Sequence, residues 1–182
     1  MKIPVLTVET SFQGDALATV KALASLEDWQ RWLQVWLEHL APDLSPIGAY
    51  ELSIQFTSDN VITALNARYR QQNRPTDVLS FAALDNTPLP VEVLAEIPVD
   101  LGDLVISVET AQRQCQAHGH SLLGELAWLT AHGLLHLLGW DHPDEAHLQQ
   151  MLSRQQELLA SAGISLDDSA YFSREQTESF LL

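Results

Sequence analysis

An α+β domain, with helices packed on a small mixed sheet of four strands, is the fold this sequence predicts. Four strand-like segments fall within its first 108 residues, and the chain from residue 109 to about 161 reads as three helices. With 182 residues, 46% of them apolar, it has the length and aliphatic content for one cored domain. That domain is expected at 1–163, followed by a polar tail at 164–182 without periodic pattern. No internal repeat and no low-complexity tract is present.

The elements follow in order. "KIPVLTVE" (2–9) has strand-like β-branched content, and 16–40 carries leucines and tryptophans at helical spacing. "YELSIQFTS" (50–58) alternates with period two through Leu52, Ile54 and Phe56, as a half-buried strand does. Ser58 or Asp59 caps a helix through "NVITALNARYR", whose Ile62, Leu65 and Tyr69 share a face; Asn73 and Pro75 end it. "TDVLSFAA" (76–83) and "LGDLVISV" (101–108) are the remaining strands, separated by a proline-bearing loop at 84–98. The three late helices are expected at 109–117, from a Ser121 cap to 138, and from Pro143 at a first helical position to about 161.

Composition removes several classes of function. A single cysteine, Cys115, excludes an intramolecular disulfide and a multi-cysteine zinc site, and fits a reducing compartment. The start "MKIPVLTVET" lacks the pattern of a secretory signal, and the apolar run at 126–140 is short of the roughly 20 residues that span a bilayer. A cytoplasmic protein is expected. The formal charge of −15 argues against a non-specific nucleic-acid binder, which needs a broad positive surface. Three of the nine cations, Arg68, Arg70 and Arg74, nevertheless fall within seven residues.

The chemistry concentrates in "LTAHGLLHLLGWDH" (129–142). His132 and His136 are four apart on a predicted helix, so their rings leave the same face one turn apart. Gly139 supplies the left-handed residue that ends the helix, and the turn returns His142 toward the pair. Three imidazoles without a fourth protein ligand nearby form the arrangement of a catalytic zinc, which keeps an open position for water. Asp141 reads either as a turn residue or as an acceptor orienting a histidine N–H. His118, His120 and His147 lack the spacing of the trio.

The spacing HxxxHxxGxxH is that of the zincin-like helix of HExxHxxGxxH metalloproteases, but Gly133 stands where their glutamate base stands. Peptide hydrolysis is therefore discounted. Together with "LNARYRQQNRPTDVLSF" and "LGDLVIS", the segment "HGLLHLLGWDH" resembles the YbeY family of bacterial endoribonucleases that mature ribosomal RNA, over about 50–155. Trp140 replaces the tyrosine more usual in that family.

The resemblance implies one zinc ion on His132, His136 and His142, with Arg70 near it for catalysis. From spacing alone Arg70 reads as a solvated cation at a helix end. It further implies cleavage of single-stranded RNA, maturation of the small-subunit (16S) rRNA 3′ end, ribosome quality control, and the small ribosomal subunit or its assembly factors as partners. Cutting an RNA phosphodiester needs no carboxylate base, because metal-activated water or a ribose 2′-OH serves as nucleophile while cations stabilise charge on phosphorus. The rival readings are an assembly factor braced by structural zinc and a metal hydrolase of another substrate. Thr76, Asp77 and Ser80 are explained equally well by a turn and an alternating strand.

Overall fold

The computed structural model describes residues 5–84 and 89–166. Its sheet has the order β1 (Thr7–Gln13), β2 (Ala49–Thr57), β4 (Val99–Ser107), β3 (Val78–Ala82). β1, β2 and β4 run parallel, and β3 pairs antiparallel to β4, so the sheet is mixed, as expected. Its helices are α1 (Leu17–Lys21), α2 (Leu26–Leu40), α3 (Asp59–Arg70), α4 (Val91–Leu94), α5 (Val108–His118), α6 (Leu122–Leu137) and α7 (Glu145–Ser161).

Three local expectations need correction. The helix expected over 16–40 is two helices. Ser25 breaks it by capping α2, its side chain accepting from the Asp28 N–H while the Asp28 carboxylate accepts from the Ser25 N–H, a capping box that no glycine or proline announces. The first strand begins at Thr7 and reaches Gln13, later than 2–9, because its register is set against β2 from Ala49 to Gln55. Pro143 precedes α7 instead of opening it: Asp144 is the cap and accepts the His147 N–H at 2.9 Å. The loop expected at 84–98 contains the single turn α4. Of the tail, residues 167–182 lie outside the described ones, as do residues 1–4 at the other end.

Strand alternation sorts the sheet into two faces. Leu52, Ile54 and Phe56 of β2 and Leu101, Leu104 and Ile106 of β4 join the main core with Trp29, Leu33, Trp36, Leu37 and the α6 and α7 side chains. On the opposite face a smaller cluster of Ile62, Leu79 and Val105 sits under α3. Burying a side chain of this size contributes roughly 1.5–3 kcal/mol, so the larger cluster dominates. At the β1 edge, Gln34 of α2 accepts the Val8 N–H at 3.1 Å, and Gln30 donates to the Val8 carbonyl. Both bonds occupy ladder groups that an exposed edge would present to another strand.

α6 is the structural centre. Thirteen of its sixteen residues are buried, and apart from Glu125, Thr130 and His132 these are apolar or glycine, as suits a helix enclosed by a sheet, α5 and α7. At Gly133 it touches the sheet directly: a Cβ there would stand 2.7 Å from Leu104 Cδ2 and 3.2 Å from Ser80 Oγ.

Candidate metal centre

The residues that end α6 also build the site. Ser121 caps its N-terminus by accepting the Gly124 N–H at 3.0 Å. At the other end Gly139 has φ +87°, its N–H bonds the His136 carbonyl, and the Trp140 N–H bonds the Leu135 carbonyl, both at 3.0 Å. This left-handed turn brings His142 back over the last turn of the helix. The ring centroids of His132, His136 and His142 stand 4.6, 5.6 and 5.2 Å apart. One ligand atom from each of the three lies within 4.8 Å of the others, a group able to hold a metal ion.

Details of the cluster fit a metal. The Nε2 atoms of His132 and His136 are 3.0 Å apart. Two ligand nitrogens at about 2.0–2.1 Å from one tetrahedral zinc stand roughly 3.3 Å apart, so a small relaxation admits the ion. On the far side of its ring, Nδ1 of His132 lies 3.0 Å from Oε1 of Gln155, a residue with no solvent exposure. With Nδ1 donating to that oxygen, Nε2 keeps its lone pair toward the cluster. Burial, with His136 and His142 adding, pushes the His132 pKa down from 6.5 to about 3, so the ring is neutral at pH 7, the state a ligand requires. Burial lowers His136 as well, and the charges of His142 and Arg70 add to that shift.

Arg70 is the last residue of α3, exposed, and close enough to His136 for its charge to act there. The chain turns sharply after it: Gln71 adopts φ +59°, and the buried Asn66 side chain donates to the Arg74 carbonyl at 2.9 Å, latching the following loop to α3. Arg68 lies over the Tyr69 ring, and Arg74 donates to Gln72.

The other polar residues take structural places. Asp77 is buried, accepting from the Val78 N–H and from Gln114 Nε2. Ser80 faces α6 and donates to the Gly133 carbonyl. Asp141 accepts the His142 backbone N–H at 2.8 Å, as a turn residue does, and its charge also reaches His136. His147 turns to Asp144 and is exposed. Trp140 is partly buried, with the Arg154 guanidinium 5.7 Å from its ring centroid. Gln155 was missed by sequence reasoning, although one signal existed: it interrupts the apolar stripe Leu148, Met151, Leu152, Leu158, Leu159 of α7.

Fold and cluster together define a class, an α+β protein whose buried central helix presents two histidines and whose closing turn presents a third. The description "Endoribonuclease YbeY" belongs to the family model that matches residues 17–163. Relatives of that name include one from Acaryochloris marina, 56% identical over 137 residues, covering 75% of this chain and 78% of its own. Another, from Synechocystis sp., is 50% identical over 164 residues, covering 87% and 92%. The chain belongs to the endoribonuclease YbeY family. The solution structure of TM1509 from Thermotoga maritima shares the fold, with a TM-score of 0.56 at 22% identity over 85% of this chain and 89% of that one. No described helix is long and apolar enough to cross a membrane.

Proposed function

We propose that this protein is a zinc-dependent endoribonuclease of single-stranded RNA, with His132, His136 and His142 as metal ligands and Arg70 as the residue that grips the scissile phosphate. Its role is maturation of the small-subunit rRNA 3′ end and ribosome quality control in the cytoplasm, as one domain over 1–163. Family membership supports RNA as substrate, and the observation that carries the reading is the convergence of three histidine rings, one of which, His136, lies within reach of the Arg70 charge.

A divalent ion held there supplies Lewis acidity toward phosphate and water. The chain's own residues do the rest. Arg70 makes charge-assisted bonds to non-bridging oxygens and stabilises the charge that builds on phosphorus, for which its planar fork suits better than an ammonium. Gln155 holds His132 in the tautomer that faces the cluster. Gly133 offers no carboxylate, which opposes peptide hydrolysis. The −15 charge weakens attraction for bare RNA and favours delivery of substrate through the small ribosomal subunit or its assembly factors.

The test is cleavage of a single-stranded RNA spanning the small-subunit rRNA 3′ end by wild type, Arg70→Ala and His132→Ala, with metal content and circular dichroism recorded for each. A folded, metal-loaded Arg70→Ala that has lost cleavage supports the reading. Folded, zinc-loaded wild type that cuts no better than His132→Ala, even with ribosomal subunits supplied, overturns it in favour of a binding factor.

A further inference from the structure

The opposite end of α6 carries a second group of ligand-type side chains. α5 ends at His118; Gly119, with φ +77°, turns the chain, and its N–H and that of His120 both bond the Cys115 carbonyl. This turn sends His118 and His120 from either side of the glycine toward Glu125 in the first turn of α6. Nδ1 of His118 lies 3.1 Å from Oε2 of Glu125, and the two side chains are only 10% and 1% exposed. The rings of His118 and His120 stand 5.8 Å apart, and one ligand atom from each of the three residues lies within 4.8 Å of the others.

We propose that His118, His120 and Glu125 form a second divalent-cation site of the zinc type, bracing the α5–α6 corner. Two imidazoles and a carboxylate are a donor set that zinc accepts. A simple helix–helix staple needs only the His118–Glu125 pair, whereas the left-handed turn at Gly119 brings a third donor to the same point. Glu125 precedes His132 by seven residues, about 10 Å along the helix axis, so the two sites share no ligand and are joined by one rigid rod.

The test counts ions and does not depend on RNA cleavage. Protein stripped with chelator and equilibrated with micromolar zinc is assayed for bound metal by mass spectrometry, with folding followed by circular dichroism. Wild type is expected to hold two equivalents, Glu125→Gln one, and the double variant His132→Ala/His136→Ala one. His120→Asn, expected to hold one, replaces Glu125→Gln if that variant does not fold. Wild type saturating at one equivalent that Glu125→Gln retains overturns the proposal, as does a folded Glu125→Gln or His120→Asn that still holds two.

Discussion

His132 on the central helix and Gln155 on the last helix meet through Nδ1 and Oε1 at 3.0 Å, and both residues are buried. The bond fixes which imidazole nitrogen faces the cluster. Replacing Gln155 by leucine keeps the volume but removes the acceptor, and loss of such an outer partner typically lowers metal affinity about 10–100-fold. Competition with a chromophoric chelator measures it. Unchanged affinity in folded Gln155→Leu means the ring is oriented by packing alone.

At Gly133 α6 lies directly against the sheet. A methyl group there meets Leu104 Cδ2 at 2.7 Å, so in Gly133→Ala the end of a core leucine side chain must shift; overpacking costs about 1–3 kcal/mol, and the gain of alanine over glycine inside a helix, about 1 kcal/mol, offsets part of it. Thermal denaturation is expected to show a modest fall in the midpoint, in metal-free and zinc-loaded protein alike. An unchanged or higher midpoint shows that the helix–sheet contact yields.

Much of this was legible in sequence because local signals and burial agree. The period-two alternation of β2 and the left-handed residue at Gly139 each have one physical meaning, and the structure matches it. Apolar spacing runs through Ser25 while its side-chain cap starts a new helix there, so periodicity does not show the break. Gln155 and Glu125 escape a reading of the sequence for another reason. Each is a polar residue on a buried face, and its partner, His132 or His118, comes from another helix, which periodicity along one segment does not report.

Asn66 links α3 to the loop that follows Arg70. Its amide donates to the Arg74 carbonyl at 2.9 Å and is buried, so Asn66→Ala leaves that carbonyl without its partner at a cost of about 1–3 kcal/mol. Because the loop then loses its latch beside the end of α3, RNA cleavage is expected to fall more than metal affinity does. Single-turnover cleavage and chelator competition on the same preparation separate the two. Equal losses in both place Asn66 in general stability.

Acid should destabilise the metal-free protein for a reason specific to the cluster. Burial holds the folded His132 pKa at about 3, against an ordinary value of 6.5 in the unfolded chain, and His136 shifts the same way. Between those values the unfolded state takes up a proton that the native state refuses. Stability is therefore fully present above pH 6.5 and is lost as pH falls, by up to about 1.4 kcal/mol per pH unit for His132. The depressed carboxylates of Asp15, Asp28, Asp59 and Asp144 overlap only the acid end of this range, since their ordinary value is 3.8, and a titration that stops at pH 4.5 stays mostly above them. Urea denaturation of chelator-treated protein from pH 7.5 to 4.5 is expected to show the loss, with a shallower slope in His132→Leu. A slope unchanged by that substitution means the His132 ring is hydrated in the metal-free fold, and that its burial depends on the ion.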